Sequence, residues 1–207
     1  MIKNLIFDFG NVLLTLDEPK TWNAFKELLD PTKIDDLFKE VMDPFERGEI
    51  SEEAFFNRLQ RRSKVVLNGD VYIDAWNSML GVFPQHRIIA LSELREKYKV
   101  YLLSNTNITH FRFVSRRIQK QNGISNFAEV LFDKAFFSHE MQMRKPETRI
   151  YQQVLDVEKL IAKECLFIDD KKENVVAAES IGMNVYLHNP EQEIFNLLPS
   201  LLSKLNG

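Results

Sequence analysis

The sequence has a single cysteine, Cys165, so no disulfide can form within the chain, and its 4 histidines are too dispersed to build a Cys/His cluster for structural zinc. A reducing, cytoplasmic setting is the expectation. Glycine and proline are scarce, at 7 each in 207 residues, which excludes collagen-like and low-complexity chains. Neither charge sign dominates: Lys+Arg 27 against Asp+Glu 30 gives a net charge of −3, with no general pull on nucleic acid or an anionic membrane. No apolar run approaches the ~20 residues that span a bilayer. Near the N-terminus, Leu5, Ile6 and Phe7 fall well short of the roughly 7 to 15 residues of a signal-peptide core. What remains is a chain with 44% hydrophobic and 28% charged residues, enough to fold alone as one compact domain or as a core with a modest insertion. Its composition leaves the oligomeric state open, a monomer included.

The hydrophobic pattern changes twice along the chain. Leu5 to Phe7 reads as a buried strand that opens into a loop at Asp8, Phe9 and Gly10. From Thr15 to Pro84 the pattern is helical. Trp22, Phe25, Leu28 and Leu29 recur at helical spacing, as do Ile34, Leu37, Phe38 and Val41, with Pro31 and Pro44 expected to break the segments apart. Ser51, followed by Glu52 and Glu53, has the character of an N-cap with an acidic first turn. After Pro84, strands alternate with helices: strands at Val100–Leu103, Ala135–Phe137, Leu166–Ile168 and Asn184–Leu187, with helices between and after them. That alternation predicts an α/β fold, a Rossmann-like, mainly parallel sheet with helices on both faces. Residues 1–14 and 85–207 would form this core, and residues 15–84 a helical cap inserted after the first strand.

In such sheets ligands bind beyond the carboxyl ends of the strands. The first strand is followed by Asp8, the second by Ser104 and Asn105, the fourth by Asp169 and Asp170, and the stretch after the third leads to Lys145. A carboxylate nucleophile, carboxylates able to hold an oxygen-liganded metal, a hydroxyl and a lysine together suit phosphoryl transfer, which rests mainly on positioning and charge neutralisation.

Four stretches carry a resemblance. They are Ile6-Phe7-Asp8-Phe9-Gly10-Asn11-Val12-Leu13, Leu103-Ser104-Asn105-Thr106-Asn107, Arg144-Lys145-Pro146-Glu147, and Phe167-Ile168-Asp169-Asp170 with Asn174 four residues on. In order and spacing the chain resembles the haloacid dehalogenase-like superfamily, mostly magnesium-dependent phosphatases, and is most similar to its α-D-glucose-1-phosphate phosphatase branch. The resemblance implies that Asp8 is a nucleophile forming an aspartyl phosphate and also a Mg²⁺ ligand, joined by the Gly10 carbonyl and Asp170. It implies outer-shell roles for Asp169 and Asn174, phosphate-holding roles for Ser104 and Asn105, and charge neutralisation by Lys145. The partner it implies is a small phosphorylated metabolite, perhaps a sugar 1-phosphate.

Physical reasoning supports the same set. Asp8 and a phosphate dianion repel each other, so Mg²⁺ and Lys145 are needed to cancel the repulsion. Pro146 suits the first turn of a helix whose N–H groups would face the phosphate. Two departures from the family pattern matter. Gly10 stands where most phosphatases of the superfamily carry a general acid/base aspartate, and Gln142 stands where the similar branch tends to place glycine. Gly10 motivates an alternative, a catalytically silent binder of a phosphorylated ligand; a dehalogenase is a third reading, opposed by Asp169 and Asp170. Within Glu46-Arg47-Gly48-Glu49, Arg47 is a candidate substrate contact or a plain inter-helix turn. Arg61-Arg62, Arg116-Arg117 and Lys171-Lys172 read as solvated helix faces, and Cys165 as a small buried hydrophobe.

Overall fold

A computed structural model describes residues 1–207. Strand β1 (Asn4–Phe7) is fully buried, as its uninterrupted apolar run requires, and is followed by the helical segment. That segment contains α1 (Glu18–Leu28), α2 (Asp43–Glu46), α3 (Glu52–Gln60) and α4 (Gly69–Asn77). The rest alternates: α5 (Gln85–Leu94), β2 (Lys99–Ser104), α6 (Ile108–Asn122), α7 (Phe127–Leu131), β3 (Lys134–Phe137), α8 (Ser138–Met141), α9 (Thr148–Glu158), β4 (Cys165–Asp169), α10 (Lys172–Ser180), β5 (Asn184–Leu187) and α11 (Ile194–Asn206). All five strands are parallel, in the order β3-β2-β1-β4-β5.

Because successive strand side chains point to opposite faces, each strand feeds two cores. Leu5, Phe7, Val100, Leu102, Leu166 and Ile168 join α5, α6, α7 and α11 on one face. On the other, Ile6, Tyr101, Leu103 and Phe167 meet α9 and α10. Cys165 is free and buried in this second core. The helical segment has a separate core of its own, built from Phe25, Phe45, Phe55, Tyr72, Trp76 and neighbours within residues 25–76.

Its entry and exit strands are fastened together. Thr15 N–H donates to the Val82 carbonyl at 3.0 Å, and Gly81 N–H donates to the Thr15 carbonyl at 2.8 Å. A Cβ at Gly81 would meet Thr15 Oγ1 at 2.1 Å, so this close approach demands glycine. Arg117 donates to the Leu80 carbonyl at 2.8 Å, which corrects the expectation that this arginine is merely solvated.

Ser51 caps α3 as its sequence predicts, accepting from Ala54 N–H at 3.1 Å. The stretch around Ile34 to Val41 differs from expectation. It begins with a 3-10 turn at Pro31–Lys33 and then winds as a π-helical turn, Phe38–Met42, that runs directly into α2. Pro44 does not break it, because the proline stands in the first turn of α2, where a missing N–H costs nothing.

Candidate active site

Parallel strands place their carboxyl ends along one edge, so residues far apart in sequence converge there. Phe7 pairs in register with Ile168, and the next residues on those two strands are Asp8 and Asp169. Lys145 reaches this point from the loop after α8. Its ammonium donates to Asp8 Oδ1 at 2.6 Å and to Asp169 Oδ2 at 2.7 Å, and its side chain is almost wholly buried. Asp169 is spent on structure: it also accepts from Lys171 N–H at 2.8 Å and from Asn174 Nδ2 at 2.9 and 3.0 Å. Asp170 is the half-exposed member of the pair and faces the cavity, where Asn11 Nδ2 donates to its Oδ2 at 3.1 Å. Asn11 holds this position from a left-handed backbone (φ 56°) and accepts Leu16 N–H at 3.1 Å.

The electrostatics follow from burial. Burial pushes the Asp8 carboxyl up, the neighbouring Asp169 and Asp170 push it further, and Lys145 opposes them. Burial disfavours the Lys145 ammonium, yet Asp169 and Asp8 outweigh it and hold the lysine above its usual range. One ammonium thus faces three carboxylates, and one oxygen from each of Asp8, Asp169 and Asp170 lies within 4.8 Å of the others. Hard oxygen donors with surplus negative charge are a fitting environment for a divalent cation such as Mg²⁺.

A cavity of about 320 Å³ opens over this edge. Asp8, Gly10, Ser104, Asn105, Lys145, Asp170 and Asn174 all line it; of the residues singled out in the sequence, Asp169 alone lies behind the wall. Ser104 is buried at the end of β2, and its hydroxyl has no partner within the protein, so it is free to meet a ligand. Asn105 needs a correction. Its amide accepts from Lys145 N–H and donates to the Lys145 carbonyl, both at 2.9 Å, so the side chain clamps the lysine's backbone instead of facing a phosphate. Pro146 is likewise not in the first turn of a helix: α9 starts at Thr148 with Glu147 as its N-cap. Gln142 adopts the left-handed conformation (φ 55°) that glycine would adopt more freely, and it ends α8.

Where the general acid is missing, the space is filled. A Cβ on Gly10 would meet Leu16 Cδ1 at 2.5 Å, so an apolar side chain occupies that ground. Arg47 turns away from the cavity to pair with Asp43 at 2.8 Å and with Glu147. Its neighbour Glu46 lines the cavity instead, paired with Arg144 at 2.8 Å. Trp22 and Phe38 also line it with 39% and 46% of their surfaces exposed, while Phe25, Phe55 and Trp76 are core as expected. Lys171 is not a solvated lysine: it lines the cavity and pairs with Glu18 at 3.3 Å. Sequence reasoning missed Ser138, whose hydroxyl is buried between chain segments, accepting from Thr106 N–H and lying 2.6 Å from the Glu46 carbonyl. It also missed His110, whose Nε2 lies 3.0 Å from the Trp76 carbonyl and whose ring stacks on Trp76 with centroids 4.6 Å apart.

The comparisons with known proteins agree with this edge-on arrangement. Residues 2–182 match the family of haloacid dehalogenase-like hydrolases. The chain is 27% identical to a D-ribitol-5-phosphate phosphatase of Bacteroides thetaiotaomicron, over 90% of this chain and 91% of that protein. It is 31% identical to a sesquiterpene phosphatase of Aspergillus oryzae, over 90% of this chain and 89% of its relative. Among solved structures, a magnesium complex of a haloacid dehalogenase-family enzyme from Bacteroides thetaiotaomicron superposes with a TM-score of 0.87 at 32% identity, covering 95% of this chain and 98% of that one. The chain belongs to the haloacid dehalogenase-like hydrolases.

Proposed function

We propose that this hydrolase is a Mg²⁺-dependent phosphatase of a small soluble phosphomonoester, working through an aspartyl phosphate at Asp8. The family and the phosphatase relatives make it a phosphoric monoester hydrolase. The metal, the residue roles and the ester are our reading. The observation that carries it is the contact of Lys145 with both Asp8 and Asp169 at the mouth of a closed cavity.

Asp8 has one carboxylate oxygen held by Lys145, which leaves Oδ2 to attack phosphorus. Lys145 neutralises charge on the nucleophile and on the incoming phosphoryl group, and Asn105 keeps its backbone in place. Ser104 offers its free hydroxyl to a phosphate oxygen. Asp8, Asp170 and the Gly10 carbonyl would hold Mg²⁺, with Asp169 and Asn174 bracing them from behind. When bound, the cation supplies charge neutralisation for attack on a dianion. Residues 15–84 act as the cap, and their inner face excludes water from the phosphate and contacts the leaving group.

The finer reading, a preference for sugar 1-phosphates, rests on Leu16 filling the acid's position beside Gly10. A general acid typically contributes about 10² to 10⁴-fold, and its loss weighs most on basic leaving groups. The anomeric oxygen is less basic than an ordinary alkoxide, so its departure depends less on protonation. The test is turnover of a panel of sugar, polyol, acyl and aryl phosphates with Mg²⁺ and with excess chelator. Hydrolysis that survives the chelator would reject the metal. A glucose 1-phosphate kcat/KM no higher than that of glucose 6-phosphate would reject the leaving-group argument.

A further inference from the structure

The wall of the cavity away from Asp8 carries two ion pairs of the same design. Each joins a carboxylate from the 15–84 segment to a cation adjacent to a site residue: Glu46 with Arg144, beside Lys145, and Glu18 with Lys171, beside Asp170. The first pair is mostly buried, with side chains 17% and 19% exposed. Burial pushes the Glu46 carboxyl up, against the opposing pull of Arg144. An ion pair taken out of water is costly unless its remaining hydrogen-bonding valences are met.

Here they are not met. Arg144 Nη2 donates to Glu46 Oε2 at 2.8 Å, and Arg144 Nε approaches Asp43 at 3.3 Å without a bonding angle. Glu46 Oε1 and Arg144 Nη1 have no partner in the protein. Glu18 Oε2 is free in the same way beside Lys171. An open acceptor next to an open donor is what a hydroxyl group, which both donates and accepts, would complete. An anionic leaving group would be repelled by Glu46 and Glu18, an amine by Arg144 and Lys171, and a purely apolar chain would leave both pairs unsatisfied. Trp22 and Phe38 present exposed ring faces to the same space, with the Arg144 guanidinium 5.3 Å from the Phe38 ring centroid. Flat apolar faces between hydroxyl-binding pairs match a carbon chain with hydroxyls along one side and C–H bonds along the other.

We propose that Glu46 and Arg144, with Glu18 and Lys171 opposite, form a hydroxyl-reading subsite that selects polyhydroxylated leaving groups, namely sugar or polyol phosphates, over apolar ones. This deepens the phosphatase reading and rests on it. The experiment measures kcat/KM with Mg²⁺ on ribitol 5-phosphate, phenyl phosphate and farnesyl phosphate, for the parent protein, Glu46→Gln and Arg144→Gln. The parent should prefer the polyol ester to the farnesyl ester. Glu46→Gln should lower the polyol-to-phenyl ratio by about 10- to 100-fold, the range for one hydrogen bond to a charged group, with KM carrying most of the change. Arg144→Gln reads the same ratio if Glu46→Gln does not fold. Equal losses on both esters, an unchanged ratio, or a parent that favours farnesyl phosphate overturns the subsite while leaving the phosphatase intact. A folded parent that hydrolyses none of the three removes both.

Discussion

Lowering the pH should weaken this protein through one buried histidine at the seam between the helical segment and the sheet. His110, on α6, is 7% exposed, stacks on Trp76 of α4 and has Nε2 3.0 Å from the Trp76 carbonyl. Burial pushes its pKa down to about 4 from 6.5, only partly offset by that carbonyl. The unfolded chain therefore takes up this proton at a higher pH than the folded one. The stabilisation from keeping the ring neutral is complete above pH 6.5, declines as pH falls towards 4, and is gone below it. A fall from 6.5 to about 4, at about 1.4 kcal/mol per pH unit, makes roughly 3 kcal/mol in all. At pH 4.5 about 2 to 3 kcal/mol of it should already be lost. Urea unfolding at pH 7.5 and 4.5 reads this, with His110→Phe as the control because phenylalanine keeps a ring over Trp76 and takes no proton. Burial also lowers His139 and His188, but these titrate alike in both proteins and cancel in the comparison. If parent and His110→Phe lose the same stability between the two pH values, the argument fails.

Asp170→Ala should abolish calorimetrically measurable Mg²⁺ binding, whereas Asp169→Asn should weaken it by about 10- to 100-fold, as for residues that orient ligands; the reverse order would exchange the roles of the two aspartates. Gly10→Asp should destabilise the fold by about 1 to 3 kcal/mol through its collision with Leu16, and Leu16→Ala added to it should restore the melting temperature; a Gly10→Asp protein as stable as the parent would show the space is open. Arg47→Ala should lower the melting temperature by removing its pairs with Asp43 and Glu147, yet leave the ranking of substrates as it was; a changed ranking would return Arg47 to the cavity.

The parallel sheet was legible because its strands are short apolar runs, each ending in a residue that buried apolar strands do not tolerate by chance. Asp8, Ser104 and Asp169 stand at those ends, so the convergence of charge could be read before any coordinates. Asn105 was read as a phosphate ligand because it follows Ser104; that its amide would be consumed by the Lys145 backbone depends on a loop 40 residues away. The π-helical turn at Phe38–Met42 shares the spacing of an ordinary helix too closely to be told apart over five residues. The cavity wall was the least legible part. Glu46, Arg144, Glu18 and Lys171 look like surface charges in the sequence, and only the docking of the helical segment on the sheet pairs them across the cavity.

The central claim is that Asp8 attacks phosphorus, and the most direct measurement is the Mg²⁺-supported turnover number of Asp8→Asn, checked for folding by circular dichroism. The amide is nearly isosteric and stays within reach of Lys145 Nζ, which lies 2.6 Å from Oδ1 in the parent, but it cannot form the acyl phosphate. A folded Asp8→Asn protein with kcat lower by several orders of magnitude is the predicted result, and one that turns over within about tenfold of the parent, a change of only ~1.4 kcal/mol in the barrier, would contradict the account.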